Sequence, residues 1–148
     1  AYTPVVDSSA IPTGEIASVE GTPMDFRTEK QIGQDIRADF EQLHFTGGYD
    51  HNYVLGRPGE KKIMANAYCR ESGIALEAET DCCGVQFYAG NFIGEQTGKG
   101  GASYHDRSAF CLESQFYPNA VNEPDFPSPV VKAGDTYHTE TSYLFYLR

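Results

Sequence analysis

Phe110-Cys111-Leu112-Glu113-Ser114-Gln115-Phe116 alternates along its whole length. At the strand period of two, Phe110, Leu112, Ser114 and Phe116 share one face, while Cys111, Glu113 and Gln115 share the other. One face suits a core, and the other carries a carboxylate on a stiff support, the way a general base is held to its geometry. The same pattern also serves a solvent-facing or ion-paired glutamate, which is the commoner use of the residue.

The same period recurs to either side. Val85-Gln86-Phe87-Tyr88-Ala89 sets Val85 and Phe87 opposite Gln86 and Tyr88. Tyr49-Asp50-His51-Asn52-Tyr53-Val54-Leu55 puts Asp50 and Asn52 on one side and His51 and Tyr53 on the other. Ile74, Leu76 and Ala78 alternate with Glu77 and Glu79, and Thr136 to Leu147 reads as a long closing strand with Tyr137, Thr139, Thr141, Tyr143 and Phe145 on one face. The only helix signal is Thr28 with Gln31 as a capping box, followed by Ile32, Ile36 and Phe40 at helical spacing up to Leu43. The glycine-rich Asn91 to Gly101 lacks the spacing and following helix of a phosphate-binding loop and reads as a lid or connector, and Pro118 to Pro129 reads as a surface crossing. The inventory predicts an all-β fold, a large twisted antiparallel β-sandwich, without internal repeats.

The chain has 148 residues with 40% hydrophobic content, enough for a single domain over residues 1–148. Its net charge of −10 makes nucleic acid and anionic membrane poor partners. No apolar stretch approaches the roughly 20 residues that span a bilayer, and no signal-peptide pattern opens the sequence, so a soluble, cytoplasmic protein is expected. Cys69, Cys82, Cys83 and Cys111 lack zinc spacing, so no metal site is expected. They read as reduced thiols in a reducing compartment, although adjacent Cys82 and Cys83 also permit a strained vicinal bridge. The first residue is Ala1, and Tyr2 to Asp7 already looks like a strand in progress, which points to a chain that starts inside something larger.

Five segments, Ile11-Pro12-Thr13-Gly14-Glu15, Gly21 to Arg27, Gly48 to Leu55, Gly84 to Phe92 and Phe110 to Gln115, follow one another in an order that resembles the signature segments of the aldose 1-epimerases, the galactose mutarotases. The resemblance spans nearly the whole chain and corresponds to the C-terminal half of the family's domain. It implies the family's large antiparallel β-sandwich and interconversion of α and β anomers of free aldoses without a cofactor. Residue by residue it makes Glu113 the general base and Asp50 and Gln86 the sugar-binding residues.

The family's general acid, a histidine supported by a second histidine and an arginine, belongs to the N-terminal half and has no counterpart among His44, His51, His105 and His138. His51 lies in the family's Asp-His-Asn motif but alternates away from Asp50, which fits a structural role. His105 and Arg107 read as surface or loop-packing residues, and Cys82-Cys83 stands where the family usually has proline. The expectation is an epimerase whose chemistry is complete only with the missing half, these residues alone being inactive and either pairing with an N-terminal segment or self-associating through open sheet edges. Two other readings compete: a sugar-binding module that stacks on Tyr88 and Tyr104, and a glycoside hydrolase using Asp50 and Glu113 as a carboxylate pair.

Overall fold

The computed structural model describes residues 1–148. Its one α-helix, α1 (Glu41–Thr46), precedes β1 (Asp50–Val54), β2 (Lys62–Tyr68), β3 (Ile74–Thr80), β4 (Gly84–Tyr88), β5 (Gln96–Thr97), β6 (Ser103–Tyr104), β7 (Cys111–Gln115) and β8 (Thr141–Leu147). These strands form a sheet of order β1-β4-β7, a second of order β2-β3-β8, and the small hairpin β5-β6, all antiparallel. The expected all-β antiparallel architecture is therefore present.

Alternation decides which way each strand of the first sheet faces. Val85 and Phe87 of β4 are buried, and Tyr53 of β1 and Leu112 of β7 pack beside them. Part of this apolar face meets Met64 of β2 and Ala78 of β3, so the two sheets lie face to face. Tyr143 Oη on β8 donates to Leu112 O at 2.9 Å and ties the layers together. The rest of the face is covered by the segment before β1, in a cluster of Tyr2, Val19, Met24, Ile36, Leu43, Tyr49, Phe87 and Ala89.

That covering segment departs from the helix expected over Thr28 to Leu43. Residues 28–40 form a succession of turns, and α1 begins only after Phe40, whose extended backbone (φ −139°) interrupts any helix. Ile36 and Leu43 are buried as their spacing suggested, but tertiary bonds hold the turns: Lys30 Nζ reaches Pro23 O at 2.6 Å and Asp35 at 2.9 Å. A single helix of this length, with Gly33 in its interior, has little intrinsic stability to oppose such contacts.

The other departures have local causes. The closing strand starts at Thr141 rather than Thr136, because Asp81 accepts from the Thr139 hydroxyl and from Glu140 N and draws the chain off the ladder. The glycine-rich connector contains β5 and leads into β6, and the Tyr104 ring packs so closely over Gly98 that a side chain there would collide with it. No vicinal bridge forms: all four cysteines are free, Cys82 and Cys83 buried, Cys69 and Cys111 exposed. No helix is long and apolar enough to cross a membrane.

Candidate active site

The face of the first sheet opposite the aromatic core carries the polar residues. Register places Asn52 across from Gln86, and Gln86 across from Glu113, while Tyr88 lies between Asp50 and Cys111 in the next row. Directly paired residues share a face, so Asp50, Gln86 and Glu113 stand together, as the strand period predicts. Gln86 Nε2 donates to Asp50 Oδ1 at 2.8 Å, a diagonal contact between neighbouring strands. Glu113 is exposed in the middle of an outer strand, and no hydrogen bond or ion pair engages its carboxylate. The arrangement thus has a tied half, Asp50 with Gln86, and a free carboxylate beside it.

The tied half is incompletely satisfied. Gln86 Oε1 is buried and has no partner, and neither amide atom of Asn52, a residue only 1% exposed, has one either. Buried polar atoms are almost always paired, so these unpaired amide atoms mark an unusual stretch of the sheet beside the exposed Glu113. Alternation had put Asn52 on the Asp50 side but gave no sign of its burial. The carboxamide lies over Gly84 beside the Tyr117 ring, and a Cβ on Gly84 would come 2.3 Å from Asn52 Oδ1.

Two further groups define the electrostatics. Burial, then the charges of Glu113 and Asp50, push the Cys111 thiol above its usual range, so this cysteine reports the two carboxylates without being a ready nucleophile. His51 lies on the other side of the sheet, buried against the edge of Tyr2, and burial pushes its pKa down to about 4. Its Nδ1 accepts from Asp50 N at 3.3 Å and its Nε2 is unpartnered. It is a neutral packing residue that faces away from Glu113. His44 and His105 are engaged on the surface with Asp39 and Glu95.

Glu113 is exposed on this face, and Asp50 and Gln86 are half-buried. Two concavities, of 560 and 590 Å³, lie elsewhere, the first lined by residues such as Val5, Phe40 and Gln42, the second by residues such as Cys82, Phe116 and Tyr137, and neither touches Asp50, Gln86 or Glu113. The residues with chemistry, rather than these hollows, mark the place where a ligand would sit. No three His, Cys, Asp or Glu side chains converge closely enough to hold a metal ion.

The family model described as aldose 1-epimerase matches residues 1–144. The chain belongs to the aldose 1-epimerase family. Among members of that family, the galactose mutarotase of Sus scrofa is 44% identical over 141 residues, covering 95% of this chain and 40% of the relative. The aldose 1-epimerase of Escherichia coli (strain K12) is 36% identical over 147 residues, covering 97% and 42%. Among solved structures, an aldose epimerase homologue from C. elegans superposes with a TM-score of 0.81 at 30% identity, covering 99% of this chain and 43% of that one. The chain therefore spans about two fifths of the length of the aldose 1-epimerase relatives it matches.

Proposed function

We propose that the protein to which these residues belong is a mutarotase that interconverts the α and β anomers of free aldohexoses such as galactose or glucose. In this reading Glu113 removes the proton from the C1 hydroxyl as the bond between C1 and the ring oxygen breaks, and an acid delivers a proton to that oxygen. The open-chain aldehyde turns about its C1–C2 bond, the C5 hydroxyl attacks the other face of the carbonyl, and the two protons return along the same routes. No net oxidation or group transfer occurs, so no cofactor is called for. Asp50 and Gln86, both half-buried on this face, bind the sugar hydroxyls.

The observation that carries the reading is the pairing of an exposed, unengaged Glu113 with the Asp50–Gln86 unit on one face of one sheet. Relatives named galactose mutarotase and aldose 1-epimerase support the same assignment. His51 is unsuited to the acid role, being buried, neutral and on the opposite face. We accordingly place the acid outside residues 1–148 and assign completion of the site to an N-terminal half of the same domain, with which the open sheet edges would pair. Self-association through those edges is the competing outcome for these residues alone.

Polarimetry on freshly dissolved α-galactose or α-glucose tests the reading, with a chromogenic glycoside assayed alongside. Accelerated mutarotation without glycoside hydrolysis is expected from the intact protein. Sugar binding without mutarotation would make it a carbohydrate-binding module, and glycoside hydrolysis would make Asp50 and Glu113 a hydrolytic pair; either result ends the mutarotase assignment.

A further inference from the structure

We infer that Asn91 and Arg107 form a clamp that sets the position of Asp50 relative to Gln86 and Glu113, and that they are positioning residues for sugar binding. The inference deepens the mutarotase reading and rests on it for its functional consequence.

Asp50 opens β1, and the ladder with β4 begins at that residue, so the segment immediately before it decides where its carboxylate lies. That segment, residues 46–49, is held by backbone bonds, Ala89 N to Tyr49 O and Gly48 N to Leu43 O, both at 2.9 Å, and by two side chains from outside its own strand. The loop that leaves β4 supplies Asn91, only 4% exposed, whose Nδ2 donates to both Thr46 O and Tyr49 O at 3.1 Å. Gly48 has φ +141°, and a Cβ on it would stand 2.3 Å from Asn91 Oδ1, so the glycine is what lets this carboxamide reach the backbone.

The same loop returns toward β7 through Arg107, a non-glycine residue at φ +66°. Its backbone N donates to Gly90 O at 2.7 Å, and its Nη2 crosses to Gly47 O, also at 2.7 Å. The Ser108 hydroxyl accepts from His105 N at 2.8 Å and braces the turn in which Arg107 takes its unusual backbone conformation. One side chain near the end of β4 and one just ahead of β7 therefore grip the four residues that lead into Asp50. The strand bearing the base and the strand bearing the binding carboxylate flank β4 without touching each other, and this clamp is a second, direct tie between their leading ends.

The chemical consequence follows from the 2.8 Å bond between Gln86 Nε2 and Asp50 Oδ1. Hydrogen bonds weaken steeply with misplacement, so drift of residues 47–50 would break this bond and scatter the acceptors that face the sugar, while Glu113 stays on its own strand. Releasing the clamp should therefore weaken binding more than turnover.

The test uses the intact protein with R107A, R107K and N91A. R107A should raise KM for the sugar roughly three- to tenfold with kcat within about twofold, the size expected for one lost hydrogen bond acting through the binding residues. R107K, which keeps a cationic donor, should recover part of the affinity. Amide hydrogen exchange at Gly48, Asp50 and Ala89, which donate to Leu43 O, His51 Nδ1 and Tyr49 O, should accelerate in R107A while exchange in β2 and β3 stays as in the parent. N91A should show the same pattern, enlarged, if it folds. Wild-type KM together with unchanged exchange in R107A would overturn the clamp. So would a loss of kcat at constant KM in step with a lower melting temperature, which is the mark of a merely structural residue. If the parent protein does not accelerate mutarotation, the reading of the site fails, and the exchange measurement still decides whether the clamp exists.

Discussion

The two three-stranded sheets share antiparallel pairing, yet they differ in what lies on them. In β1-β4-β7 one face is sealed: Phe87 stacks on Tyr49 with ring centroids 5.5 Å apart and meets Phe26 edge-on at 5.4 Å. Its other face is polar and carries the site. In β2-β3-β8 the outer strand reads Thr-Ser-Tyr-Leu-Phe-Tyr-Leu, richer in apolar residues than β7, yet Phe145 is 66% exposed and Leu147 80%. Strand composition therefore does not decide burial. Stabilisation follows the apolar area taken out of water, and that area depends on which element lies against the strand.

The sharpest way to separate the two sheets is chemical. Glu113→Gln in the intact protein should lower mutarotation about 10²- to 10⁴-fold, since the amide keeps shape and hydrogen bonding but cannot take the proton. Its melting temperature should not move, because the residue is exposed and unengaged. Near-parental turnover in polarimetry would remove Glu113 from the base role.

The next test makes the same deletion in each sheet. Phe87→Ala should cost about 3–5 kcal/mol of stability by opening a cavity in the aromatic cluster. Phe145→Ala should cost less than about 1 kcal/mol, as one exposed cross-strand neighbour is worth no more. Denaturant unfolding of the two variants under one set of conditions checks this, and equal losses would mean that β8 is covered by a further element.

A third expectation uses the buried histidine under the site sheet. The folded-state pKa of His51 is pushed down to about 4 from its ordinary 6.5, so between these values the unfolded chain binds a proton that the folded one refuses. This contribution to stability is complete above pH 6.5 and is lost as pH falls toward 4, amounting to ~3 kcal/mol over the window. His51→Gln should flatten that part of the stability–pH curve. An unchanged slope in the variant would mean that other groups carry it.

The smallest effect concerns the tied half of the site. Gln86→Ala or Asp50→Asn should weaken sugar binding by about 1–3 kcal/mol and blur discrimination among aldoses, with a lesser effect on kcat. A collapse of kcat at constant KM would instead put these residues in the proton transfers.

Much of this was legible in the chain of residues. Period-two alternation in β4 and β7 placed Val85 and Phe87 inward and Gln86 and Glu113 together on the other side, because a strand turns successive side chains to opposite faces whatever surrounds it. The same rule kept Asp50 with Gln86 and turned His51 away. The all-β class followed from the number of such segments, and the likeness to aldose 1-epimerases from their order.

What the residues alone could not decide were the pairings between distant segments. The hydrogen bond from Gln86 to Asp50 joins positions 36 apart, and whether those strands are neighbours depends on the sheet order, a property of the whole fold. The turns of residues 28–40 carry helical spacing in sequence but yield to Lys30, Asp35 and Pro23, because a weak local preference loses to tertiary bonds. Thr139 and Glu140 leave the final strand because Asp81, nearly 60 residues earlier, captures them. Arg107 reads as a surface or loop-packing residue, and only the fold shows that this exposed side chain reaches Gly47 O at 2.7 Å. Alternation along a strand is a local consequence of chain geometry, so the sequence determined which faces exist; what each face meets is set by contacts that close over long loops, and only the tertiary structure decided that.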